Sequence, residues 1–292
     1  MNDVSNAVLE NYLKSSPSKL PIDDQEFRKK HFLNRERLFQ DHLKLPLRLF
    51  NDAELLDLGC GTGEQDLAYA DWGANLTLVD MNPDSINELK GNFSKFNLQH
   101  RVKDVQLSNI FHFKNKQLYD FAISEGVLHH TNNFSQGIEI LAQHLKPKGF
   151  LVLQVAFDTS FLQRSLQRYL IDYLAQGNYQ KTVEYSGILF EETISRANKY
   201  GGRSKEQIIH DFYTNPKHQG INIYDIIHLF KKYGLQYYSS YPSIDMEGLI
   251  NGIHESSPAE LIQTHPELIE FSNFLFMIAN GNDEEYLRNL NE

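Results

Sequence analysis

Between residues 54 and 157, short apolar runs alternate with longer stretches in which apolar positions recur every three or four residues. The runs are "ELLDL" (54–58), "NLTLVD" (75–80), "QHRVKD" (99–104), "YDFAISEG" (119–126) and "GFLVLQVAF" (149–157). The periodic stretches are "GEQDLAYADWG" (63–73), "DSINELKGNFSKF" (84–96) and "NFSQGIEILAQHL" (133–145). Apolar strands alternating with helices bury both faces of a sheet, because each crossover lays a helix on one face. The pattern predicts an α/β fold, doubly wound around a mostly parallel sheet.

The flanks read differently. Residues 23–43 carry acids at the start and Phe27, His31, Leu38, Phe39 and Leu43 near helical spacing, so they predict a helix that stops before Pro46. The polar text before it, with "SSPSKLP" (15–21), reads as a linker. After Phe157 the alternation gives way to helical text broken at Gly177, Gly187 and Gly201–Gly202. The grammar then resumes with a helix in "INIYDIIHLFKKYG" (221–234) and strands in "LQYYSSYP" (235–242) and "FSNFLFMIANG" (271–281). The expected organisation is a helical segment (1–49), an α/β core (50–157), a helical cap inserted at 158–220, and a return to the sheet (221–292) with a second excursion at 243–270.

The most informative text is "LLDLGCGTGE" (55–64), where Gly59, Gly61 and Gly63 follow a strand. Glycine there signals a sharp turn or a close approach. The spacing is neither the G-x-G-x-x-G of dinucleotide binding nor a P-loop, which needs Gly-Lys-Ser/Thr. With Asp80 closing the next strand, "SEGVLHH" (124–130) after the fourth and "LKPKGFLVL" (145–153) into the fifth, the segment resembles the class I S-adenosylmethionine-dependent methyltransferases. The resemblance implies a Rossmann-like core whose ligand carries a zwitterionic tail instead of a pyrophosphate. It implies cofactor contacts from Asp57, Gly59, Cys60, Gly61 and Gly63, from Asp80 and Met81 at the ribose, and from Asp104 and Val105 at the adenine.

Methyl transfer from a sulfonium needs the acceptor held in line and water excluded, and a base only where the acceptor must lose a proton. The end of the fourth strand offers Glu125, His129 and His130, because ligands sit at the carboxyl ends of strands in open α/β sheets. Glu125 either orients a cationic donor or acceptor, or caps the next turn. Either histidine is a base or packs with its nitrogens bonded. "HDFYTNPKHQG" (210–220) brings His210, Asp211, Tyr213, Asn215 and His218 as polar handles over the site, His210 also as a catalytic candidate, or is loop punctuation. A metal held by His210, Asp211 and His218 would match no standard spacing, and no metal is expected. Tyr169 and Tyr173 either stack on a flat acceptor or pack the cap. On the leading helix Arg28, Arg35 and Arg37 are equal candidates for a carboxylate.

Net charge is −10, which weighs against a nucleic-acid partner, since phosphate binding needs clustered Lys and Arg. Cys60 is the single cysteine, so no disulfide within the chain forms and a cytoplasmic setting is expected. No apolar run reaches the ~20 residues of a membrane span. The reading is a methyltransferase acting on oxygen or nitrogen of a small molecule such as a metabolite, sugar or natural product. The alternatives are a macromolecular acceptor (tRNA or protein) and an inactive cofactor-binding scaffold. A homodimer is compatible with all three.

Overall fold

In a computed structural model, residues 7–11, 13, 19–217, 220–242 and 262–271 are described. Five parallel strands, β1 (Glu54–Leu58), β2 (Asn75–Asp80), β3 (Val102–Leu107), β4 (Tyr119–Glu125) and β5 (Leu145–Gln154), form one sheet in the order β3-β2-β1-β4-β5. The order reverses between β1 and β4, and in doubly wound sheets that crevice takes the ligand.

Helices cover both faces. On one lie α1 (Gln25–Arg37), α2 (Glu64–Asp71) and α3 (Pro83–Lys95); on the other, α4 (Phe134–Gln143) and a late helix described below. Strand parity assigns side chains between them. Leu55, Leu76, Leu78, Phe121 and Ile123 join Phe39, Phe50 and Tyr69 in the first core. Leu56, Leu58, Val79 and Ala122 join Leu128, Ile138 and Leu141 in the second. By the same parity Asp57, Asp80 and Glu125 project from the strand ends on the first face.

β3 starts later than its sequence predicts. Residues 99–101 form a single tight turn, so Asp104 sits mid-strand level with Thr77, and Leu107 is the residue level with Asp80. β5 starts earlier, at Leu145. Between the pairs Tyr119↔Leu145 and Phe121↔Phe150 the "KPKG" residues bulge opposite Asp120, which holds Lys146 at 2.8 Å. The strand expected at 235–242 is absent: that segment is irregular, tied instead by Tyr238 Oη to the Lys44 carbonyl (2.9 Å) and Ser239 Oγ to that of Leu43 (2.7 Å). The strand expected at 271–281 lies outside the described residues beyond Phe271, itself helical.

The chain leaves β5 and runs through α5 (Asp158–Ala175), α6 (Tyr179–Leu189), α7 (Glu191–Gly201) and α8 (Lys205–Ile209), then a wide helical turn at His210–Thr214. These have their own small core of Ile171, Ile194, Ile208, Ile209, Phe212 and Tyr213. The chain re-enters the α/β unit at Ile221, whose N–H donates to the Ala156 carbonyl at 2.8 Å, and continues into α9 (Ile223–Lys232). Gly220 makes that return possible, because a Cβ there would lie 2.4 Å from Asp158 Cα.

Candidate active site

The β1–α2 loop is shaped by its three glycines, all at positive φ. At Gly59 (φ +94°) a Cβ would fall 2.3 Å from Val127, and at Gly63 (φ +79°) 2.9 Å from Leu89. At Gly61 (φ +55°) it would meet nothing within 4 Å. Gly59 and Gly63 are therefore demanded by packing within the protein, whereas Gly61 leaves an open cradle. Asp80 ties the loop to β2: its carboxylate accepts from the N–H of Gly61 (3.0 Å), of Asn82 (2.8 Å) and of Met81. Burial pushes the Asp80 carboxyl up, and those N–H groups hold it back. Cys60, in the same loop, is buried and its thiol is pushed well above its usual range by burial, so it is no nucleophile.

Beside the loop lies a buried polar cluster that sequence reading only half found. Arg35 of α1 holds Glu125 through Nη1 to Oε1 (2.9 Å) and Nη2 to Oε2 (2.8 Å), and also donates to Tyr69 Oη. Tyr69 in turn donates to Glu125 Oε2 at 2.9 Å. Burial works against the Arg35 charge, but the Glu125 carboxylate outweighs it. Asp57 and Asp66 face each other next to this pair. Burial and then the Glu125 charge push Asp57 up to about 8, and burial with the Asp57 charge pushes Asp66 well above the carboxylate range. Asp57 and Asp66 hydrogen-bond to each other carboxyl to carboxyl, whereas Arg35 Nε is buried without a hydrogen-bond partner among the described residues.

The open Arg35 Nε and the space at Gly61 test whether the expected cofactor fits. A buried polar atom costs free energy unless paired. An open guanidinium edge and a pair of acids beside a glycine cradle offer an amino-acid zwitterion a donor for its carboxylate and acceptors for its ammonium. The residues present fit S-adenosylmethionine.

Of the three arginines on α1, Arg35 is the one that reaches Glu125 beside the loop. The signal was in the sequence, since His31, Arg35 and Phe39 recur every four residues on one face. Asp66 and Tyr69 were missed; their signal was spacing too, three and six residues past Gly63 on the face of α2 that turns inward.

His129 and His130 follow β4 on a tight turn (Leu128–His130), rings 4.1 Å apart. Burial and the neighbouring His130 lower His129 to about 3, so it is neutral near pH 7. His130 is gripped by the cap: Nδ1 donates to the Lys217 carbonyl (2.9 Å), Asn215 lies 3.2 Å from the same nitrogen, and Asp211 Oδ1 is 3.6 Å from Nε2. Arg203 fixes Asp211 at 2.9 Å.

The other acceptor-side candidates separate from this group. His210 bonds Tyr179 Oη (2.9 Å) and Thr214 Oγ1 (3.1 Å) inside the cap. Tyr213 is buried, stacked on Phe190 and donating to Gln167 (2.9 Å), so it builds the cap's core. Tyr169 and Tyr173 stand on the outer face of α5, in solvent. Asp104 is exposed, accepting from Gln106 at 2.7 Å, and Val105 packs against the first core. His218 lies outside the described residues. Among the described residues no three His, Cys, Asp or Glu side chains converge to hold a metal.

Comparison with known proteins agrees with this geometry. The pattern of the family described as "Methyltransferase domain" matches residues 29–240. The chain is 28% identical over 177 residues to the ubiquinone biosynthesis O-methyltransferase of Rickettsia typhi, covering 57% of this chain and 67% of that one. It is 34% identical over 107 residues to a probable cobalt-precorrin-6B C(15)-methyltransferase of Methanobrevibacter smithii, covering 36% and 56%. The N-methyltransferase NodS of Bradyrhizobium japonicum, solved with S-adenosyl-L-homocysteine, aligns with TM-score 0.43 at 18% identity over 55% of this chain and 78% of that one. The chain belongs to the methyltransferase-domain family, as a class I S-adenosylmethionine-dependent enzyme.

Proposed function

We propose that the protein methylates an oxygen or nitrogen of a small molecule. The observation that carries this reading is the roof over the β4 end: the cap reaches down through Asp211, Asn215 and Lys217 to clasp His130, beside His129. An acceptor at the β4 end would lie beneath this strap, which suits a compact molecule better than a polymer lying in an open cleft. The O-methyltransferase of ubiquinone biosynthesis named above supports an oxygen acceptor.

Bound S-adenosylmethionine supplies a methyl group already activated on a sulfonium. The Gly59–Gly63 loop and the Asp57–Asp66 pair receive the cationic amino-acid end, with Arg35 facing its carboxylate. Asp80, accepting from three N–H groups, would keep about one acceptor site for a ribose hydroxyl. Because Leu107 is the β3 residue level with Asp80, we place the adenine-end contact at Ser108 and Asn109, not at Asp104. Glu125, committed to Arg35 and Tyr69, would fix the floor of the site and hold the Arg35 guanidinium in place for the cofactor's carboxylate. Neutral His129 is positioned as a hydrogen-bond partner to the acceptor; its depressed basicity makes it a weak base.

Label transfer tests the reading. The protein is incubated with methyl-labelled S-adenosylmethionine and a cell lysate, and the products are separated by size with and without nuclease. Label in the small-molecule fraction is the expected result. Label in RNA or protein overturns it, and no transfer despite tight cofactor binding indicates a scaffold.

A further inference from the structure

The outward face of α5 is apolar where a solvated helix should be polar. Leu162, Leu166, Tyr169 and Tyr173 are 66, 63, 74 and 72% exposed, and Leu170 and Leu174 flank them, also exposed. The intervals of four, three and four residues match the seam of a coiled coil, in which one helix packs along another. From these exposures the stripe presents roughly 700 Å² per chain, beyond the ~300–600 Å² of the largest patch on an ordinary monomer. It approaches the ~800 Å² per partner of a standard stable interface.

We infer that this stripe is the two-fold interface of a homodimer, with α5 packed antiparallel on α5 of a second copy. Three features favour a second copy over other occupants. The helix is 18 residues, or ~27 Å, long enough to pair with itself over its whole seam. Gln163 and Ser165 are exposed between the apolar positions without charge, and antiparallel pairing sets Asp172, the exposed acid near the C-terminal end of the stripe, away from its own copy, so the patch meets its image without like-charge conflict. The basic residues of α5 face the wrong way for an anionic membrane. Arg164 lies 3.5 Å from the Phe212 ring centroid, and Arg168 donates to the carbonyls of Phe212 (3.1 Å) and Asn215 (2.8 Å). Helices that lie on membranes turn Lys and Arg outward beside their apolar face. The inner face of α5 carries the cap residues that hold the 212–215 segment against His130, so dimerisation braces the cap from outside.

Sedimentation equilibrium over a wide concentration range tests this, with the expected mass twice the 33.9 kDa of the chain. The pair Leu166→Glu with Tyr169→Glu should weaken the dimer at least about 100-fold, since central anchors dominate such interfaces. Leu118→Glu, exposed at the opposite end of the sheet, should leave it intact. Circular dichroism and S-adenosylhomocysteine affinity report that the variants fold. Because Cys60 is buried, Tyr169→Cys places one accessible thiol on the seam, and a short bismaleimide should link two chains there and not through Leu118→Cys. A monomer at every concentration overturns the inference, as does a dimer indifferent to the paired substitution. A monomer that floats with phosphatidylglycerol–phosphatidylethanolamine vesicles overturns it in favour of a membrane face.

Discussion

Arg35 and Glu125, 90 residues apart in sequence, meet in a two-pronged ion pair at 2.9 and 2.8 Å that ties the leading helix to the end of β4. Both side chains are buried, so the pair's value lies in its completeness: removing one partner strands a charge in a dry site. Glu125→Ala should cost about 3–5 kcal/mol in urea unfolding, and Arg35→Met about as much. Joining Arg35→Met to Glu125→Met should recover most of the loss, because the pair vanishes together. A single-variant loss below about 1 kcal/mol would mean that water screens the pair as it does at a surface.

The buried acids make stability depend on pH in a direction opposite to the usual acid denaturation. Asp57 holds its proton to about pH 8 when folded, against about 3.9 in an unfolded chain. The folded state therefore binds more protons between those values, and stability falls as pH rises through that window. His31 and His129, lowered to about 4 and about 3, act the other way, most strongly below about pH 6.5, where an unfolded histidine is half charged, and fade by about pH 7.5. Between about pH 7 and 8 the Asp57 contribution outweighs them, with a slope below about 1.4 kcal/mol per pH unit per proton. Chemical unfolding of the cofactor-free protein should show this decline. Asp57→Asn should flatten it; an unchanged slope in that variant would assign the proton to another group.

The insertion depends on a single glycine at its return. A methyl at residue 220 would sit 2.4 and 2.5 Å from the Asp158 backbone, and backbone yields less readily than a side chain. Gly220→Ala should therefore displace the strap that bonds Ile221 to Ala156, at a cost of about 1–3 kcal/mol. Limited proteolysis should cut the cap first in this variant, with the melting temperature lowered. A variant as resistant as the wild type would show that the junction can shift without loosening the cap.

What the sequence disclosed followed from periodicity. The runs "ELLDL", "NLTLVD" and "YDFAISE" became β1, β2 and β4, since a strand buried on both faces leaves a continuous apolar signature. β3 did not: its text, "VKDVQL", is half exposed at the sheet edge, so apolarity marked its bounds poorly and Asp104 was put three residues too close to the ligand end. The glycine loop and Asp80 were legible because the backbone itself carries the chemistry there. The Arg35–Tyr69–Glu125–Asp57–Asp66 cluster was not, because it assembles from two helices and two strands whose mutual register no single segment encodes. For the tyrosines of α5 the sequence leaves stacking on an acceptor and packing in the cap both open, and the structure does neither with them, because which way they face depends on where the cap's own core lies.

The three loop glycines separate a folding demand from a binding demand. Gly59→Ala drives a methyl to 2.3 Å from Val127 at a φ of +94°, so it should destabilise the fold by several kcal/mol, and Val127→Ala should relieve part of that loss by vacating the space. Gly61→Ala meets nothing within 4 Å and should cost only about 1–2 kcal/mol, the strain of a left-handed residue bearing a Cβ. Yet its methyl projects into the cradle, so cofactor affinity should fall at least about tenfold, which calorimetry with S-adenosylhomocysteine reads directly. A Gly61→Ala protein that folds and binds as well as the wild type would move the cofactor away from this loop. One that folds and fails to bind fixes its seat at Gly61, because the added atom has nothing else to touch.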